Sequence, residues 1–470
     1  MCGPGPGPAH VVWIFVFTGG RSSKFKAMNY TDRVIRFVKE THWENLPEPV
    51  RHQSKRCLLD TLGALLAGTY TPVSKLVSAF VQDQFRGNEG TILGSVARAS
   101  LVGAAFANGT AANALDIDDG YRLVKGHPGA CVLPVAMGAG EAAGCTGRAF
   151  LTALVVGYEV GIRAGLIRHA VSQTYHSSGS WGAVAGAAAA CKLFGFDMKT
   201  VRQALGTAEY HAPIAPMMKG IQTPSMGKDS IGWGCLVAMS AALLAQKGFT
   251  GIQPLFDDTP EPSWILNMGE TYEILNLYFK PYAACRWAQP AIEGALKIAR
   301  DNDLSIEQIA RITVRTFSEA AALDQGYPQT TEDAQYNISF PLAVALLDGE
   351  IGPRQVLPPR IFDHDVHCVM DKVEVVAERS FQNAFPASAL AEVHIETRGG
   401  ESFRSGTMPA RWEPSSGLPS DAELVEKFYW LAEPIMGIEK AREIEHMVWG
   451  FENCEDMNGL INLCNRLNSI

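Results

Sequence analysis

The residues able to do chemistry crowd into one stretch, NALDIDDGYRLVKGHPGA at 113–130. Asp116, Asp118 and Asp119 fall within four residues, and Lys125, His127, Pro128 and Gly129 follow. Small and apolar segments flank the stretch on both sides. A carboxylate beside an imidazole can take and return a proton, because the imidazole titrates near neutral pH and its neighbours tune it. Asp118, Asp119 and Gly120 favour a turn, and Pro128 suits the first turn of a helix. Asp116 and His127 are therefore predicted at the two ends of one interhelical loop. The N-terminal amides of the next helix would face into that loop and attract carboxylates. An organic acid could bind there and exchange protons. The competing readings are an ordinary Asp-rich turn capped by His127, and a calcium loop. The calcium loop fails at its twelfth position, where His127 stands in place of glutamate.

Helices must hold this loop. From Tyr30 to about Gly251 the text reads as helices rich in Ala and Gly. Val50, Ser54, Cys57, Leu58, Leu62, Leu65 and Leu66 mark one apolar face. Leu101–Leu115, Val132–Ala143, Phe150–Leu166, Trp181–Phe194 and Cys235–Lys247 continue the pattern. Such small side chains permit close helix–helix approach. After about Lys280 the texture changes. Ile309–Thr316, Lys372–Ala377 and Ala391–Thr397 read as strands, the last closing a hairpin with Ser402–Arg404. Pro290–Arg300 and Ser339–Leu347 read as helices. Ser420 and Glu423 have capping-box spacing. The predicted architecture is multidomain: a large all-α bundle over 28–275, a smaller α+β domain over 276–410, and C-terminal helices over 411–470 packing back on the bundle. Residues 1–27 read as a disordered extension or an upstream-start artefact.

Composition excludes several functions. The 470 residues carry a net charge of −9 and no long basic run, which argues against nucleic acid or an anionic membrane as partner. The apolar run Val11–Phe17 is too short to span a bilayer, so no membrane partner is expected. Ten cysteines are scattered without a CxxC pair, as buried thiols in a reducing compartment would be. No metal site is expected: FDHDVHC at 362–368 reads as a surface turn rather than a ligand set. His211 reads as a core residue or a wall of the cleft, and Asp60 as a hydrogen-bonded structural acid. There is no GxxxxGK[ST], strand-linked GxGxxG or GxSxG.

The pattern NG-x-x-x-N-A-L-D-x-D-D closed by HPG resembles the MmgE/PrpD family, which includes 2-methylcitrate dehydratases, cis-aconitate decarboxylases and dicarboxylate epimerases. The resemblance runs from about Tyr30 to Phe428. It is carried also by RCLLDTLGALLAG (56–68), GYEVGIRAG (157–165), YHSSGSWGAVAGAAAACKLFG (175–195), ALLAQKGFTG (242–251), KPYAACRWAQPAIEGAL (280–296) and LAVALLDGEIG (342–352). It implies Asp116 as the acid/base aspartate, His127 as the loop histidine, and a catalytic lysine at Lys228, with Lys219 the rival. His176, Gly120, Tyr121, Arg286 and Gln289 become the expected substrate-binding residues, with Arg286 as a bidentate carboxylate clamp.

Two departures are visible. Gln289 stands where many members carry histidine, and Gly120 and Phe340 stand where the decarboxylases carry threonine and tyrosine. The resemblance implies a homodimeric enzyme without cofactor, acting on a small anionic polycarboxylate in the cytoplasm, or in the mitochondrial matrix of a eukaryote. Dehydration, as of 2-methylcitrate, is the expected reaction. An epimerase of an iminodisuccinate-like dicarboxylate comes next, then a decarboxylase or a silent carboxylate-binding relative.

Overall fold

The computed structural model describes residues 29–465; the segment holding Val11–Phe17 lies outside them. Among the described residues, ten α-helices precede residue 250: α1 (Tyr30–Glu40), α2 (Glu48–Gly68), α3 (Pro72–Gln84), α4 (Leu101–Asn113), α5 (Pro128–Ala143), α6 (Gly147–Val171), α7 (Ser178–Leu193), α8 (Met198–His211), α9 (Met217–Gln222) and α10 (Ile231–Gln246). Side-chain caps set several of their starts. Ser100 accepts from Gly103 N and Thr146 from Ala149 N, each satisfying an otherwise orphaned helix donor. Glycine and alanine let α5, α6 and α7 touch. A Cβ at Gly161 would sit 2.4 Å from that of Ala185, and one at Gly182 would sit 2.2 Å from Cys131 Sγ. Any larger residue there would separate the helices and open voids. Helix α6 is 25 residues long and apolar enough to cross a membrane, but its apolar stretch is buried inside this bundle. A two-stranded hairpin, β1 (Gly90–Thr91) with β2 (Arg98–Ala99), joins α3 to α4. Its strands are too short to leave a period in the sequence.

The later part is α+β, as the sequence predicts. Strands β3 (Ile309–Thr316), β4 (Val373–Ala377), β5 (Leu390–Thr397) and β6 (Ser402–Pro409) form one sheet in the order β4-β3-β5-β6. The β3–β4 pair is parallel and the others antiparallel. Ala391, Val393, Ile395 and Thr397 are buried on alternate positions of β5, the period of a half-buried strand. They share a core with Ile292, Ala295 and Ile298 of α11 (Gln289–Asp301) and with α12 (Ser339–Asp348). Burying each such aliphatic side chain contributes about 1.5–3 kcal/mol.

The closing helices α13 (Asp421–Met436), α14 (Ile438–Trp449) and α15 (Asn458–Asn465) return to the bundle, where Leu424, Phe428, Ile444 and Leu460 join its core. Lys427 of α13 donates to Asp60 Oδ1 of α2 at 2.5 Å and to Ile117 O at 2.7 Å. One buried ammonium thus ties the C-terminal helices to the acidic loop, and Asp60 is a hydrogen-bonded structural acid.

Two local expectations fail. FDHDVHC is not a turn: His364–Met370 is a helix, because Val366, Val369 and Met370 fall on one face and are buried. His211 is neither core nor cleft wall. It ends α8 exposed, edge-on to Tyr210.

Candidate active site

The loop between α4 and α5 is held at consecutive residues. Asp116 adopts a left-handed conformation, φ +53°, which aspartate tolerates better than most residues. Lys280 Nζ donates to Asp116 O at 2.9 Å, Lys427 to Ile117 O, and Asn113 Nδ2 to Asp118 Oδ1 at 3.1 Å. Asp119 Oδ1 accepts from Gly129 N at 2.9 Å, in the first turn of α5, and Oδ2 from the Tyr158 hydroxyl at 2.6 Å. The α5 N-terminus therefore meets a carboxylate from its own loop. Burial and the nearby Asp60 push the Asp119 carboxyl up to about 7.

His127 sits at the centre. Its Nδ1 lies 3.0 Å from Asp118 Oδ2 and 3.1 Å from Asp119 O, and its Nε2 lies 3.4 Å from Asp116 Oδ1. Lys280 Nζ approaches the same Asp116 oxygen to 3.1 Å. All four side chains are buried. Burial alone would raise the Asp118 carboxyl, but the His127 imidazole and Lys280 outweigh it and hold it at about 2. Burial would lower His127, and Asp118 reverses this, so the ring is displaced upward from its ordinary value. Lys280 is raised for the same reason, Asp116 overcoming the burial penalty. Two acids, an imidazole and a lysine thus form one buried cluster in which acid and base groups face each other. A relay continues from His127 N to Ser178 Oγ at 3.2 Å, then to Asp229 Oδ1 at 3.1 Å, whose other oxygen accepts from the Tyr336 hydroxyl at 2.6 Å.

Asp116, His127 and Lys280 open onto a narrow cleft between the bundle and the α+β part, walled also by Arg122, Tyr278, Arg286 and Trp287. Glu413 pairs with both arginines. Arg286 spends its fork on the protein: Nε on Glu413 at 3.2 Å, Nη1 on Phe279 O and Gln289 Oε1, and Nη2 on Arg411 O at 2.9 Å. Arg122 Nε is buried without a hydrogen-bond partner among the described residues.

The sequence-predicted residues divide by position. Asp116, His127 and Arg286 line the cleft together. Gln289 stands behind Arg286, accepting from it and donating to Ala284 O at 3.0 Å. Gly120 lies beneath the Tyr278 ring, while the Tyr121 hydroxyl turns away to Glu273 at 2.5 Å. Lys228 lies at the C-terminal end of α4, donating to Asn113 O, Ala114 O and Gln335 Oε1. His176 contacts Ser172 Oγ at 2.9 Å and is outside the cleft lining. Sequence reasoning passed over Lys280, Arg122, Tyr278 and Asp229. Lys280 opens the KPYAAC segment and Arg122 lies inside the loop, so both were readable as cations next to known motifs. Tyr278 and Asp229 carry no such signal, since only the fold brings them to residue 127.

Asp116, Asp118 and His127 place ligand atoms within 4.8 Å of one another, a spacing that suits a metal ion. Lys280 Nζ already lies against Asp116, so a cation would compete with an ammonium and an imidazolium for the same two carboxylates.

The MmgE/PrpD N-terminal domain matches residues 32–262, and the MmgE/PrpD C-terminal domain matches 282–453. The chain belongs to the MmgE/PrpD family. Tyr278 and Lys280, in the wall of the cleft, lie in the segment 263–281 between the two matches. A cis-aconitate decarboxylase-like protein, oryM, of Aspergillus oryzae is 26% identical over 93% of this chain and 97% of its own length. The cis-aconitate decarboxylases of Homo sapiens and Aspergillus terreus are 25% and 22% identical, over 89% and 90% of this chain and 91% and 94% of theirs.

Proposed function

We propose that this MmgE/PrpD protein is a lyase of small di- or tricarboxylates that works by moving a proton at a carbon next to a carboxylate. The observation that carries this reading is His127, clamped between Asp118 and Asp116 with one ring nitrogen toward a cleft walled by Lys280, Arg122 and Arg286. Lys280 and Arg122, whose Nε has no partner among the described residues, would hold substrate carboxylates and stabilise the enolate-like charge that develops as a bond breaks, with Arg286 fixed in the wall by its own partners. Homodimerisation and a cytoplasmic or matrix location remain part of the proposal.

The relatives named above favour decarboxylation of a cis-aconitate-like acid. His127 would give its proton to the alkene carbon, and the pair of the breaking C–CO₂ bond would form the shifted double bond. Carbon dioxide leaves, and solvent returns the proton to His127. Dehydration of a 2-methylcitrate-like acid is the second reading, favoured by the facing of Asp116 and His127. Asp116 would take the C–H proton, the electron pair would form the alkene, and hydroxide would leave as water with the proton of His127. Lys228 supports the wall as a positioning residue, through Gln335 and the Tyr336 ring.

Purified protein incubated with cis-aconitate and with 2-methylcitrate in D₂O, followed by NMR, tests this. Loss of CO₂ with one deuterium gained supports the first reading, and loss of water supports the second. Deuterium exchange without net loss would make the protein an isomerase, and no change with either acid would overturn the proposal.

A further inference from the structure

Gly120 and Tyr278 form an isolated antiparallel bridge, with Gly120 N donating to Tyr278 O at 3.0 Å and Tyr278 N to Gly120 O at 2.9 Å. The Tyr278 side chain folds back over this bridge. A Cβ built on Gly120 would fall 2.2 Å from Tyr278 Cζ and 2.3 Å from its hydroxyl oxygen. The phenol therefore occupies the space that any side chain at 120 would need. Its ring is held between two guanidinium groups, with Arg286 Cζ 4.4 Å and Arg122 Cζ 5.3 Å from the ring centroid.

Three tyrosines line the cleft, and two have spent their hydroxyls. Tyr175 donates to Lys125 O at 2.7 Å, and Tyr336 donates to Asp229 Oδ2 at 2.6 Å. The Tyr278 hydroxyl has no hydrogen bond among the described residues; the residue is 4% exposed, and its oxygen is not fully enclosed but open toward the cleft. A buried phenol normally finds a partner. Here the free side of the hydroxyl faces the cleft, whose lining carries Arg122, Lys125, Lys280 and Arg286 against Asp116 and Asp229, an excess of cations. These cations attract an anion, and an anion offers the acceptor that the phenol lacks.

We propose that Tyr278 is a substrate-reading residue: its hydroxyl donates to a carboxylate or hydroxyl oxygen of the bound acid, and Gly120 is required because it leaves room for the ring. This rests on the polycarboxylate reading of the cleft and adds the group that selects among such acids. Tyr278 keeps its proton under working conditions, since burial raises its pKa against the opposing pull of Lys280 and the two arginines. It acts as a donor and takes no part in bond cleavage. The ring also closes the cleft above residue 120, which favours a compact acid over one with a long substituent.

The test uses the full chain and calorimetric titration with citrate, tricarballylate and glutarate, independent of turnover. Citrate and tricarballylate carry three carboxylates, and glutarate carries two. Tyr278→Phe keeps the ring and its stacking and removes only the O–H. A hydrogen bond to a charged group gives an expected loss of about 10–100-fold in affinity for the preferred tricarboxylate, with discrimination against glutarate reduced and Tm unchanged. With any acid that is turned over, KM should rise more than kcat falls. Gly120→Ala, which must displace the ring, should weaken binding comparably, and should cost far less in a Tyr278→Ala background. Wild-type affinity in Tyr278→Phe, or additive effects of Gly120→Ala and Tyr278→Ala, would overturn this inference and leave the polycarboxylate reading standing. Failure of the wild type to bind any of the three acids would overturn both.

Discussion

The His127 ring lies 3.0 Å from Asp118 through Nδ1, while Nε2, 3.4 Å from Asp116, faces the cleft. The Asp118 side fixes the ring and its charge, and the Asp116 side presents a proton where a substrate would lie. Orientation of an imidazole by a buried carboxylate is a recurring way to set both tautomer and basicity.

Removing either partner of the proton-transfer pair should stop turnover without unfolding the protein. His127→Gln and Asp116→Asn are each expected to lower kcat about 10²–10⁴-fold, the usual worth of general acid–base help. Steady-state kinetics alongside circular dichroism measure this. Variants within twofold of wild type would remove these residues from the mechanism.

The pH dependence has a definite sign. Burial would lower His127 and Asp118 raises it, so a reaction needing the imidazolium loses its rate as pH rises through a value above the ordinary one. Asp118→Asn removes the main force raising it, so the alkaline limb of kcat/KM should move to lower pH. The same linkage acts on stability. The Asp118 contribution is present above the ordinary carboxylate range and is lost as pH falls toward about 2. An unmoved alkaline limb in Asp118→Asn would show that another group titrates.

Asp119 should give the opposite trend. Its carboxyl is pushed up to about 7, so its contribution is fullest below about pH 4 and declines as pH rises through 7. Thermal melts of Asp119→Asn are expected to gain on wild type steadily across that interval. A Tm difference independent of pH would contradict the assignment.

Lys427 should be a structural keystone of the loop. Replacing it with methionine leaves Asp60 buried without its cation and frees Ile117 O. A cost of about 3–5 kcal/mol is expected in denaturant unfolding, with much of it regained in the Asp60→Asn/Lys427→Met double variant. A double variant no more stable than the single one would place the effect elsewhere.

Much of this was legible in the sequence because local patterns carried it. The α4–loop–α5 unit followed from turn residues, Pro128 and two small-residue helices, β5 followed from strict alternation, and β3 from alternation beyond the irregularity at Ile309–Arg311. The family was legible from motif order. The wall of the cleft was not. Tyr278 reaches residue 120 only because the chain returns after 157 further residues to pair with Gly120, and no local period encodes such a return. Arg286 was readable as a cation, but its commitment to Glu413, Phe279 O and Arg411 O depends on segments more than a hundred residues away as well as near ones. The helix at 364–370 was hidden because seven residues rich in His and Asp resemble a turn until Val366, Val369 and Met370 find a core.

The central claim is that His127 stands in the cleft as an imidazolium. Histidine-selective ¹⁵N NMR of the full chain, with His127→Gln to assign the signal, reads this directly. The account predicts that the ring titrates above the ordinary value near 6.5. A ring titrating at or below 6.5 would contradict it.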